Sequence, residues 1–178
     1  MYAQSEGEVV TEQFPANPEN EKAGILRQTE KLLEEESAGS FSRWFILRLA
    51  GIYGPGRHYL LNQLREGQTV FSGSGQHRLN LIHRDDISSA IWACLAAPST
   101  IGNEIFNCSD DHASKKQDVL SWLAQQLDVD PPIWRNGGES FGGRLVRNRV
   151  ISHEKLTRLL GWRPTYPTFH EGYKQILK

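Results

Sequence analysis

The chain has 178 residues, with 20 Lys+Arg against 21 Asp+Glu and a formal charge of −1. Hydrophobic residues make up 38% and charged residues 23%, the balance of a soluble globular domain rather than a disordered chain. Near-neutral charge excludes a chain built mainly to hold nucleic acid or an anionic membrane, and no apolar run reaches the roughly 20 residues of a membrane span.

Residues 1–17 read as a loop with turn formers at Pro15 and Asn17-Pro18. They carry neither the basic nor the apolar stretch of a signal peptide, so a cytoplasmic location is expected. Asn17 and Pro18 suit the cap and first position of a helix. Its apolar residues Ala23, Ile25, Leu26, Leu32 and Leu33 repeat at helical spacing to about Glu36. Residues 43–53 are apolar at nearly every position, which predicts a strand buried on both faces as in a parallel sheet. Gly54-Pro55-Gly56 ends it, and a short helix through Leu60, Leu61 and Leu64 stops at Gly67.

Thr69–Phe71 and His77–Ile82 predict a hairpin across Ser72-Gly73-Ser74-Gly75. Asp85 or Asp86 caps the next helix, with Ile87, Ala90, Ile91, Cys94 and Leu95 facing inward. Glu104–Asn107 is a strand. Ser114 and Gln117 then form a capping box for a helix to about Leu127. Ile133-Trp134 is extended, and residues 136–143 form a glycine-rich, mobile loop. Ser152 opens a helix that stops at Gly161, and Thr168 with Glu171 opens the terminal helix. This order favours α/β or α+β. Cys94 and Cys108 sit in no CxxC or Cys/His ligand spacing, which excludes a disulfide scaffold and a zinc module.

Arg48–Gly56 is the most informative segment. Open α/β sheets bind ligands at the carboxyl ends of such strands, and Ala50 and Gly51 let a flat ring approach the backbone. The same residues also suit a strand that ends in an ordinary turn. Leu81-Ile82-His83-Arg84-Asp85-Asp86 fits a capped helix with a structural histidine, and equally a His–Asp pair. There is no G-x-S-x-G and no P-loop. Gly137-Gly138 and Gly142-Gly143 open no helix, so they are poor dinucleotide-binding glycines. The histidines show no metal-ligand spacing. Arg57, Arg78, Arg84, Arg144 and Arg147 suit either a phosphate-bearing ligand or a solvated surface.

Taken in order, these segments resemble the back portion of an extended short-chain dehydrogenase/reductase, the NAD(P)-dependent epimerase/dehydratase family. Tyr2 with Glu12 and Pro15 resembles the stretch around the family's V-Y-G. Arg48–Gly56 resembles its sixth strand and Y-G-P-G turn. Leu81–Asp86 resembles I-H-V-D-D, and Gly102–Asn107 resembles G-x-x-[FY]-N. Ser152–Trp162 with Pro164 resembles S-x-x-K…L-G-W-x-P, with Lys155, Leu160, Gly161 and Trp162 in place. The resemblance implies a truncated Rossmann-like α/β fold. A dinucleotide-binding remnant would span residues 1–56, and a substrate-lobe region with the returning Rossmann strand and helices residues 57–178. It implies NAD or NADP beside Tyr2, Leu49, Ala50 and Gly51, with a small-molecule substrate near Arg57, Arg78 and His83.

Three departures bear on function. The family's G-x-x-G-x-x-G lies nowhere at the start of this sequence, which implies that about a hundred residues of preceding strands are absent. The catalytic Y-x-x-x-K belongs eight and four residues before Glu30, where Lys22 and Leu26 stand. The family's pyrophosphate arginine falls on Leu79, with Arg78 one position off. Met1, the only methionine, stands at the Val of V-Y-G. The expectation is an epimerase/dehydratase-like protein, inactive as this chain. The alternatives are a non-catalytic protein that self-associates through an exposed strand edge at residues 44–53, or a truncated reading frame.

Overall fold

A computed structural model describes residues 2, 6–18, 20–40, 43–135, 140–141, 144–145 and 148–178. The first elements are β1 (Glu6–Val10), α1 (Glu21–Ser40), β2 (Phe45–Leu49), β3 (Gly51–Tyr53), α2 (Tyr59–Arg65) and β4 (Val70–Ser72). Next come β5 (Arg78–Leu79), β6 (Leu81–His83), α3 (Arg84–Leu95), β7 (Glu104–Cys108), β8 (Ser114–Lys115) and α4 (Lys116–Leu127). The last are β9 (Ile133–Arg135), β10 (Ser140–Phe141), β11 (Arg144–Leu145), β12 (Asn148–Ile151), α5 (Glu154–Leu160) and α6 (Phe169–Leu177). Four pairs are parallel: β1–β12, β2–β7, β3–β6 and β4–β9. Parallel neighbours need a long crossover, and the intervening helices supply it. The fold is α/β, as expected.

The apolar stretch 43–53 is not one strand. It changes neighbours at Ala50, whose N–H donates to Cys108 O (2.9 Å), while Gly51 N–H donates to Asn80 O (2.9 Å). Nor is it buried on both faces: β2 is half-buried along most of its length, and Leu49 is exposed. Among the described strands β2 pairs with β7 alone.

Other expectations are corrected. Residues 1–17 are not all loop, because Glu6–Val10 pairs with Asn148–Ile151 across nearly the whole sequence. Helix α1 starts later than Asn17-Pro18 suggests: Asn20 Oδ1 accepts from Ala23 N–H (3.0 Å) and acts as the cap. The hairpin does not form. β4 runs beside β9, while β5 pairs with β8 and β6 with β3. On α3, Ile91 and Leu95 face outward, 47% and 62% exposed. Ser114 lies in β8 instead of capping α4, whose first N–H groups bond His77 O and Gly75 O. Most of the glycine-rich loop lies outside the described residues. The Thr168–Glu171 capping box and the left-handed Gly161 stop (φ 67°) are as expected.

Two cores result. One joins Tyr53, Leu61, Phe71, Leu120, Leu123 and Tyr173. The other joins Ile82, Ala90, Phe106, Cys108, Leu156 and Trp162. In the first, Gly172 lets α6 close onto Tyr53. A Cβ there would overlap Tyr53 Oη and sit 2.6 Å from Cζ. Gly172→Ala is therefore expected to lower stability by about 1–3 kcal/mol, read as a lower urea midpoint, despite alanine's better helix propensity.

Candidate functional site

The carboxyl ends of β2 and β7 carry a buried polar cluster around Tyr2. Arg48, on β2, reaches Glu30 of α1 with both arms: Nε donates to Oε1 (2.8 Å) and Nη2 to Oε2 (2.7 Å). Its Nη1 donates to Tyr2 Oη (2.9 Å), and Tyr2 Oη donates in turn to Asn107 Oδ1 on β7. Arg27 adds a bond to Glu30 Oε2 (2.9 Å), and Glu12 accepts from Asn107 N–H (2.7 Å). Burial pushes the Glu30 carboxyl up, but the Arg48 and Arg27 guanidiniums outweigh it and hold the group below its ordinary value. Burial raises the Tyr2 phenol against the pull of Arg48. Tyr2 thus keeps its proton, with its hydroxyl spent on Asn107 and Arg48. This is the chemistry of an anchor rather than of an acid or base.

The positions expected beside a cofactor lie at the end of β2. Leu49 is 39% exposed, Ala50 half-buried and Gly51 exposed. Gly51 has its own packing reason to be small, because a Cβ would stand 3.0 Å from Asn80 O. Lys22 and Leu26 are both exposed on α1. Arg57 is exposed, with Nε bonded to Ile52 O (3.3 Å). Arg78 turns elsewhere, its Nη1 donating to Ala113 O (2.8 Å).

His83 is fully buried between Tyr53 and Tyr166, whose rings lie 5.3 and 4.0 Å from its own. Burial lowers its pKa, against the charges of Asp85 and Asp86. The neutral ring leaves Nδ1 able to accept from Asp85 N–H (3.3 Å), so the histidine, not either aspartate, caps α3. Asp86 is buried too, and accepts from Thr165 and Tyr166 N–H (2.7 and 3.1 Å). The structure thus brings Tyr2 to β2 and β7, sets His83 beneath the surface, and engages Arg78 away from both.

A second polar group carries no signal in the sequence. Asp110, just past β7, is 4% exposed. Its Oδ1 accepts from His112 N–H (3.3 Å), and its Oδ2 is buried without a hydrogen bond. Burial pushes this carboxyl up to about 8 against the His112 N–H, and the charges of Asp111, Asp86 and Glu171 push the same way. It lines a cavity of about 320 Å³ with Asp111, Ser152, His153, Thr157 and Arg163. His153 bridges Asp111 Oδ1 (Nε2, 3.1 Å) and Ser109 Oγ (Nδ1, 3.4 Å). Ser109 is buried and donates to Ile151 O (2.9 Å), so this Ser-His-Asp chain staples β7 to β12 rather than presenting a nucleophile.

Among the described residues no group of His, Cys, Asp and Glu could hold a metal, and no helix is long and apolar enough to cross a membrane.

The chain has a partial Rossmann-like α/β fold, matching somewhat more than half of solved NAD-dependent epimerases and dehydratases. The conserved protein of unknown function from Silicibacter pomeroyi superposes with TM-score 0.85 at 23% identity, over 98% of this chain and 62% of that one. DesIV, the dTDP-glucose 4,6-dehydratase of Streptomyces venezuelae solved with NAD bound, superposes with TM-score 0.81 at 20% identity, over 99% and 55%. In sequence the chain is 32% identical to Protein YeeZ of Escherichia coli (strain K12) over 168 residues, 94% of this chain and 56% of YeeZ. The chain thus spans about half the length of the curated relatives it matches. No family model matches it.

Proposed function

We propose that the chain is a member of the NAD(P)-dependent epimerase/dehydratase family carrying the substrate-side portion of the enzyme, and that alone it does not transfer hydride. The reading divides the chain at residue 56. The first part is what remains of the dinucleotide-binding domain, with Tyr2, Leu49, Ala50 and Gly51 on the nicotinamide side. The rest carries Arg57 toward a small-molecule substrate, while Arg78, held on Ala113 O, only supports that lobe. His83 acts there only as a buried support.

The observation that carries this reading is at α1. Lys22 and Leu26 stand where the family's tyrosine and lysine belong, and the sequence holds no G-x-x-G-x-x-G to cradle a pyrophosphate. A flexible ammonium and a leucine supply neither a phenolic proton nor a grip on a nicotinamide ribose. The residues present therefore do not complete an NAD or NADP site. The reading also includes a cytoplasmic location. The test is turnover: the pure chain, given NAD+, NADH, NADP+ or NADPH with candidate nucleotide sugars, is expected to leave both the nicotinamide absorbance and the sugar, read by NMR, unchanged. Chain-dependent epimerisation, dehydration or reduction of the sugar would contradict it.

A second reading, a non-catalytic protein that self-associates, is favoured by β2, which pairs with one strand alone among the described residues. A strand edge left unpaired is a template for pairing with another chain.

A further inference from the structure

The cavity of about 320 Å³ that Asp110 lines sits where the ends of β1, β7 and β12 meet the start of α5. That volume is at the small end of ligand cavities, which run from about 300 to 1,000 Å³, so its occupant is small. Part of the lining is apolar, from Val9, Ala113, Val150 and Ile151. The charged part sets three carboxyls, Asp110, Asp111 and Glu154, against the single guanidinium of Arg163. The cavity shares no residue with the cofactor and substrate positions of the proposed function.

Two side-chain oxygens among the lining residues are buried without a hydrogen bond, Asp110 Oδ2 and Thr157 Oγ1. Asp110 is the telling one, because the residue is only 4% exposed. Its Oδ1 has the long bond from His112 N–H (3.3 Å). A buried polar group left unpaired is costly, and this one also stands among negative neighbours. Asp111 on its own turn, Asp86 of α3 and Glu171 of α6 all oppose its ionisation. The other titratable groups that face it are Tyr53 of β3 and His153, and burial favours the neutral form of both. An anion here would add to the repulsion. A cation relieves it and brings the N–H donors that Asp110 and Thr157 lack.

We propose that this cavity binds a small primary ammonium ion with a short apolar stem, its charge held by Asp110 and Asp111 and its stem laid along Val150 and Ile151. Binding is coupled to a proton. The free Asp110 carboxyl titrates near 8, so at pH 7 it holds its proton, and an ammonium beside it drives that proton off. The test is isothermal titration of n-butylammonium chloride into the full chain at pH 7, in two buffers of different ionisation heat. Saturable one-to-one binding is expected, with proton release on binding. Sodium butyrate, of similar stem and opposite charge, is expected not to bind. Asp110→Asn is expected to weaken binding by about 10-fold and to abolish the proton release. Asp111→Asn and Thr157→Val are each expected to weaken it by about 3-fold and to leave the proton release in place. Circular dichroism checks that each variant folds. No saturable heat with the wild type would overturn the site and leave water as its occupant. Butylammonium binding without proton release, binding unchanged by Asp110→Asn, or preference for butyrate would overturn it equally.

Discussion

Arg48→Ala is expected to lower the free energy of unfolding by about 3–5 kcal/mol, because it leaves the Glu30 carboxylate buried without its main counter-charge. The side chains of Arg48 and Glu30 are only 8% and 6% exposed, so solvent does little to weaken the pair. The loss reaches beyond the pair, since Arg48 also bonds Tyr2, and Tyr2 bonds Asn107. The double change Arg48→Met with Glu30→Leu removes both charges and is expected to cost far less than Arg48→Ala. The pair also carries a pH dependence. Glu30 is held below its ordinary value in the folded chain, so its contribution is present above the unfolded carboxylate pKa and is lost as pH falls through the folded one. Urea unfolding at neutral and acid pH measures both effects.

Asp110→Asn is expected to do the opposite and stabilise the chain at alkaline pH. The folded carboxyl titrates near 8, against about 3.9 when unfolded. Between those values the unfolded state has released a proton that the folded state still holds. Stability from this group therefore falls as pH rises from about 4 to about 8, by up to ~1.4 kcal/mol per pH unit. Asparagine keeps an oxygen for His112 N–H and has no charge to bury. The variant is expected to be more stable than wild type by about 2–5 kcal/mol at pH 8, with the gap closing toward pH 4. A parallel pair of stability-against-pH curves would contradict the assignment.

Local signals in the sequence are legible where the cause is itself local. Gly161 stops α5 because it adopts a left-handed conformation, and Thr168 with Glu171 caps α6 through bonds three residues apart. Strand β7 follows from its own apolar run. What depends on distant neighbours is not legible in the local sequence. β1 looks like a polar loop because its partner, β12, lies some 140 residues away. Asp85 and Asp86 both look like caps, but only the tertiary structure shows Asp86 drawn to Thr165 and Tyr166, leaving the cap to His83. The polar cluster had one legible clue. Arg48 sits inside an otherwise apolar strand, where a buried charge demands a partner. Nothing in the spacing of Arg48 and Glu30 announces their pairing. Asp110 gave no clue at all, because its burial comes from chain folded around it.

On the proposed function, this chain carries the substrate side of a nicotinamide-cofactor fold without the groups that hold the cofactor. Isothermal titration of NAD+, NADH, NADP+ and NADPH into the folded 178-residue chain tests it most directly. No saturable heat is expected with any of the four, even at millimolar cofactor. Saturable one-to-one binding in the micromolar range would contradict it, and would mean that Leu49, Ala50, Gly51 and their neighbours form a cofactor site unaided.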